Sequence, residues 1–127
     1  MVFDLTGLKV LVVEDNGLEA LAMEAVLKAA EVEVVGVVAT VQKALALAAN
    51  AEMDAVLLDV NLHGEMAYPV ADRLLARGIP FVLVTGYAAR EIPMRYFSHA
   101  LCSKPWSAER LLKHLSQAVA AARSRSA

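Results

Sequence analysis

The chain has 127 residues, enough for one domain with its own core. Apolar residues make up 58% of it, which excludes a disordered protein. Lys and Arg total 12 against 14 Asp and Glu, so the near-neutral balance points to neither a nucleic-acid nor a membrane surface.

Leu8 to Glu14 reads as a strand: short, rich in Val and Leu, and apolar on both faces, as a parallel strand covered by helices requires. Asp15-Asn16-Gly17 is a turn with helix-capping chemistry. A helix from about Leu18 to Ala30 follows, then a second strand over Val32 to Val38. Thr40 caps a helix, Val41 to Ala51, that is almost all Ala and Leu. Ala55 to Asp59 is the third strand. Glu65 to Arg77 is a third helix, kinked or late-starting because of Pro69, and Gly78 ends it. Pro80 to Thr85 is the fourth strand. Gly86 to Ser98 is the weak part: Pro93 interrupts it, any helix there is short, and it is expected to be the least stable element. Ala100 to Ser103 is a brief fifth strand. Ser107 caps a last helix to about Ala122, with Leu112, Leu115 and Val119 on one face.

This alternation implies an α/β fold: a flavodoxin-like, doubly wound (βα)5 unit with a five-stranded parallel sheet in the order 2-1-3-4-5. Residues 1–127 are expected to form a single domain with its core at about 8–122. The chain ends soon after the last helix, so no output domain is expected. Cys102 is the single cysteine, which forbids an intramolecular disulfide. With no signal peptide and no long apolar run, the expected location is the cytoplasm, without membrane contact.

In such sheets the functional crevice lies beyond the carboxyl ends of the strands, here between the first and third. Glu14 and Asp15 close the first strand, Asp59 the third, Thr85 the fourth and Lys104 the fifth. Three carboxylates at one edge repel, and at least one should have a raised pKa. A divalent cation relieves the conflict. Mg2+, or Mn2+ in its place, takes oxygen ligands: Asp15 and Asp59 directly, Glu14 through water, and the backbone carbonyl of Asn61. Asp59 can then act as a nucleophile toward a phosphoryl group, with Lys104 and the Thr85 hydroxyl orienting its oxygens. The apolar run Ala55 to Leu58 ends in Asp59 because the strand holds the acid at the mouth of the sheet; the acid itself is not expected to be buried.

Glu14-Asp15, Asp59, Thr85 and Lys104-Pro105, each at a strand end and in this order, resemble the response-regulator receiver domain of two-component signalling. The resemblance covers roughly Leu8 to Ala120. It implies that Asp59 accepts a phosphoryl group from a phosphohistidine on a sensor histidine kinase or a histidine phosphotransferase. It implies Mg2+ on Asp15, Asp59 and the Asn61 carbonyl with Glu14 assisting, and a cis Lys104–Pro105 bond. An unknown downstream protein would receive the signal.

Three positions depart from the family pattern. Leu101 stands where many receivers carry a moving aromatic three residues before the lysine. His63 stands where a proline is common. Gly86-Tyr87 follows the threonine, and Pro80-Phe81 to Tyr87 resembles a Pro-Phe…Thr-Gly-Tyr subgroup of alphaproteobacteria linked to kinases of the HWE type. Tyr87 is therefore expected to replace the missing aromatic, with Gly86 freeing the backbone so that 86–98 orders on phosphorylation. The competing readings are a docking or dimerisation module that is never phosphorylated, a small aspartyl-phosphate phosphohydrolase, and an FMN binder. Asn61 in place of a second acid argues against the hydrolase. The acids after the first strand argue against a phosphate cradle for FMN.

Overall fold

The computed structural model describes residues 4–96 and 100–126. In chain order the regular elements are β1 (Lys9–Val13), α1 (Gly17–Ala29), β2 (Glu33–Val38), α2 (Val41–Asn50), β3 (Ala55–Asp59), β4 (Asn61–Leu62), β5 (Glu65–Met66), α3 (Tyr68–Arg77), β6 (Phe81–Thr85), β7 (Ala100–Ser103) and α4 (Ala108–Ser126). The main sheet runs β2-β1-β3-β6-β7 and is parallel throughout. This is the flavodoxin-like order expected from the sequence, with β6 and β7 as the fourth and fifth strands.

The strands are apolar on both faces because both faces are covered. Leu11, Val13, Val56, Leu58 and Leu83 point to the side of α2 and α3, where Ala44, Ala48, Val70 and Leu74 meet them. Val10, Val12, Leu57, Val82 and Cys102 point to the side of α1 and α4, against Met23, Leu27, Leu111 and Leu115. Burying one such Leu or Val contributes about 1.5–3 kcal/mol. A frame this dry fixes where the strands end, and the strand ends carry the site.

Local chemistry sets the boundaries. The Asn16 side chain accepts from the Glu19 N–H at 3.0 Å and starts α1; Thr40 accepts from Lys43 at 3.2 Å and starts α2. Gly78 ends α3 in the left-handed conformation, at φ 70°. α4 runs on to Ser126, past the expected end at Ala122.

Two expectations need correction, the start of α3 and the buried face of α4. α3 starts at Tyr68, not Glu65. The stretch ahead of it is a small antiparallel hairpin in which Asn61 pairs with Met66 and Leu62 with Glu65. The turn of that hairpin uses positive φ at His63 (52°) and Gly64 (85°), and a proline ring at position 69 would clash with the carbonyl of Glu65 in a continuous helix. On α4 the fully buried leucines are Leu111 and Leu115, spaced by four, while Leu112 sits one position round and is partly buried. The segment after β6 forms no α-helix among its described residues, only two 3-10 turns, Ala89–Glu91 and Met94–Tyr96. Its expected end at Ser98, with Phe97 and His99, lies outside the described residues. No helix among the described residues is long and apolar enough to cross a membrane.

Candidate functional site

β1 and β3 are hydrogen-bonded neighbours, paired from Val10–Ala55 to Val13–Leu58. The next residues therefore emerge side by side. One carboxylate oxygen from each of Glu14, Asp15 and Asp59 lies within 4.8 Å of the others. β6 delivers Thr85 to the same edge, and β7, paired with it, delivers Lys104, whose backbone N–H donates to the Thr85 carbonyl at 2.8 Å. The Lys104–Pro105 bond is cis. The structure thus brings all five residues to one edge of the sheet.

The Lys104 ammonium has three donors and three acceptors. Nζ lies 3.2 Å from Glu14 Oε1, 3.2 Å from Asp59 Oδ2 and 3.3 Å from Glu19 Oε2. Burial works against its charge, but Asp59 and then Glu14 outweigh burial and lift its pKa above the ordinary lysine value.

Asp59 is 6% exposed and Glu14 2%, so the expectation that the acid stands unburied at the mouth is wrong. The Lys104 ammonium and the Asn61 N–H, 3.2 Å from Asp59 Oδ1, make burial tolerable by satisfying its oxygens. The raised pKa expected of one acid falls on Glu14, pushed up to about 8. Burial is the main cause and Asp59 adds to it, against the Asn16 N–H and Lys104. Asp15 moves the other way. Burial would raise it, but the His63 backbone N–H, 2.8 Å from Oδ2, and Glu14 hold it below the usual carboxylate value.

Thr85 is buried, and its hydroxyl oxygen accepts from the Tyr87 N–H at 2.9 Å. Asn61 uses its side chain on its neighbours: Nδ2 donates to the Tyr87 hydroxyl at 3.0 Å, and Oδ1 accepts from the Gly64 N–H at 2.7 Å. Tyr87 is half-buried against the core on the α2–α3 side. At Gly86 a Cβ would meet nothing within 4 Å and φ is not left-handed, so this conformation does not require glycine there.

Two residues to which the sequence reading gave no role line the same cleft: Glu19 and His63. Glu19 had a signal, an acid four residues past Asp15 in the first turn of a helix that starts at the site. His63 had none beyond its place in the loop. Its ring Nδ1 is 3.6 Å from Asp15 Oδ2, and its backbone N–H holds the same oxygen.

The segment after the site is fastened by Tyr96. Its ring stacks on Tyr68 at 5.5 Å and meets Phe81 edge-on at 6.3 Å. Its hydroxyl donates to Asp72 Oδ1 at 2.5 Å and approaches the Tyr68 carbonyl at 3.2 Å. Arg95 adds an ion pair to Asp72 at 3.1 Å. Leu101, in place of the aromatic common in receivers, is partly buried against the same core.

A parallel sheet in this order, with three acids, a threonine and a lysine at its carboxyl edge, defines a flavodoxin-like fold with an acidic cleft at the strand ends. Residues 10–116 match the family model of the response regulator receiver domain. The chain belongs to that family, the receiver module of two-component signalling. It is similar to SdrG from Sphingomonas melonis Fr1, at 37% identity and a TM-score of 0.79, over 90% of this chain and 97% of that one. The receiver domain of the sensor histidine kinase PA1611 from Pseudomonas aeruginosa PAO1 shares 25% identity at a TM-score of 0.79, over 91% of this chain and 99% of that one. That structure carries a magnesium ion coordinated in its active-site cleft. The receiver domain of the PhyR response regulator from Erythrobacter litoralis shares the fold, at 24% identity and a TM-score of 0.79, over 90% of this chain and 91% of that one. The comparison with curated proteins gives no match. The donor set here, three clustered carboxylates, fits a Mg2+ site of the same kind.

Proposed function

We propose that this chain is a response regulator in which Asp59 accepts a phosphoryl group from a phosphohistidine. The observation that carries this reading is the Lys104 ammonium bonded to Asp59 beside the acidic cluster. Asp59 Oδ attacks phosphorus, the P–O bond forms, and the P–N bond to the donor imidazole breaks. The imidazole nitrogen keeps the electron pair and later takes a proton from water. Lys104 and the Thr85 hydroxyl then face the new phosphoryl oxygens.

Asp15, Asp59 and the Asn61 backbone carbonyl would hold Mg2+ or Mn2+, with Glu14 beside them; the Asn61 side chain is already engaged. The cation, when bound, offsets charge on the phosphoryl oxygens. The Thr85 hydroxyl oxygen accepts from Tyr87 N–H and keeps its own O–H to donate to a phosphoryl oxygen, so a pull on that hydroxyl is passed to the Tyr87 backbone. Tyr87 and the Gly86 backbone are thus the parts of the site poised to move, and Asn61 releases the Tyr87 hydroxyl when they do. The donor is a sensor histidine kinase, of the HWE type by resemblance, or a histidine phosphotransferase. Output is by contact with a further protein or by passing the phosphoryl group on.

The test uses Trp106, the only tryptophan, two residues past Lys104. Purified protein is titrated with Mg2+ and then beryllofluoride while tryptophan fluorescence and amide shifts are followed. A saturable change that needs both ligands and Asp59 supports the reading. No change in either signal overturns it and favours a docking module that is never phosphorylated.

A further inference from the structure

Lys104 is saturated. Its three donors go to Glu14, Asp59 and Glu19 at 3.2, 3.2 and 3.3 Å. An ammonium has no fourth donor to give. A phosphoryl oxygen arriving on Asp59 can take over the Asp59 donor, and any further bond to Lys104 must displace Glu14 or Glu19. The Glu14 side chain is 0% exposed, and an oxygen released there would be left buried without its partner. The Glu19 side chain is 35% exposed and returns to water at little cost. Its backbone is independently held, since Glu19 N–H caps onto Asn16 at 3.0 Å.

We propose that Glu19 is a positioning residue that occupies the lysine donor meant for the phosphoryl group, and so opposes phosphorylation while adding charge that favours the divalent cation. This rests on the phospho-acceptor reading above. Four acids, Glu14, Asp15, Glu19 and Asp59, then share one cleft with one ammonium. The Glu19 charge has opposite consequences for two ligands. It attracts a dication, which meets a more negative cleft. It competes with an anion, which must take Lys104 from it. A residue that merely supported the fold would move both affinities the same way or neither.

The experiment compares the wild type, Glu19→Gln, Glu19→Ala and Glu24→Gln. Glu24 pairs with Lys28 on the same helix and serves as the control. Mg2+ affinity is measured first, then beryllofluoride affinity at saturating Mg2+, both by Trp106 fluorescence and amide shifts. Circular dichroism melts check that the variants fold. Glu19→Gln should bind beryllofluoride about two- to fivefold more tightly, the scale of one partly exposed ion pair. It should bind Mg2+ about two- to threefold more weakly. Glu19→Ala should follow it in both directions, and Glu24→Gln should match the wild type. Beryllofluoride affinity unchanged or weakened in both Glu19 variants overturns the proposal alone. A wild type that binds no beryllofluoride overturns the acceptor reading, and this inference with it.

Discussion

The acidic cleft and the segment that follows β6 lie next to each other and are held by different means. Glu14, Asp59 and Thr85 stand at the ends of paired strands, so backbone hydrogen bonds and a dry core on both faces fix them. Gly86 to Tyr96 has only two 3-10 turns, and side chains fasten it: Tyr96 in the core, with Asp72 and Arg95 on α3 and the segment. Tyr87 touches both, through Thr85 and Asn61. A site made rigid by backbone can bind without moving; a segment fastened by a few side chains can be let go for a few kcal/mol. The contrast suits a module that must hold a ligand at one place and report it at another.

The contrast can be broken from either side. Asp59→Asn should abolish the beryllofluoride-dependent fluorescence change of Trp106, the largest effect expected, because the nucleophile itself is gone. Tyr96→Ala should cost about 3–5 kcal/mol of stability in urea unfolding, as for other large aromatics removed from a core, yet leave Mg2+ binding in place. If Mg2+ affinity falls with it, the two regions are not separately held. Mg2+ at a hundredfold above its Kd should raise the unfolding free energy by about 2.7 kcal/mol over chelator-treated protein. Tyr96→Phe sharpens the comparison. It keeps the ring and deletes the hydroxyl, at about 1 kcal/mol, and should speed amide exchange over 88–96 while leaving β6 unchanged.

The pH effects are the smallest. Burial and the Asp72 hydrogen bond push Tyr96 up to about 12 from its ordinary 10.0. The folded state thus favours the neutral phenol. This contribution is full below pH 10 and is lost as pH rises from 10 toward 12. Tyr96→Phe should lack that alkaline loss in melts against pH. Asp72 shifts downward, chiefly through its bond to Arg95. Its contribution is present above the ordinary carboxylate range and is lost as pH falls below it, so Asp72→Asn should flatten the acid limb.

Much of this was legible beforehand because strand patterns are local. Val10 to Val13, Ala55 to Leu58 and Phe81 to Val84 are apolar without a break, short and rich in Val and Leu, as strands buried on both faces require. The acids, the threonine and the lysine stood out as polar residues at the ends of such runs. Where the reading failed, the missing information was not local. Glu65 and Met66 look helical, and only pairing with Asn61 and Leu62 makes them a strand. Asp59 looks exposed at a strand end, and only the Lys104 ammonium arriving from β7 makes its burial tolerable. Glu19 looks like any first-turn acid; its contact with Lys104 joins residues 85 positions apart.

The sequence by itself determined the order of the five sheet strands and the helices between them, the chirality of their connections and the edge at which the polar residues gather. Those follow from periodicity, capping and the twist of L-amino-acid chains, which act within a few residues. Only the tertiary structure decided how deeply the acids are buried, which of them carries the raised pKa and which three share Lys104. Those are set by distances of a few ångströms between distant parts of the chain, and the energy of a charge changes steeply over such distances.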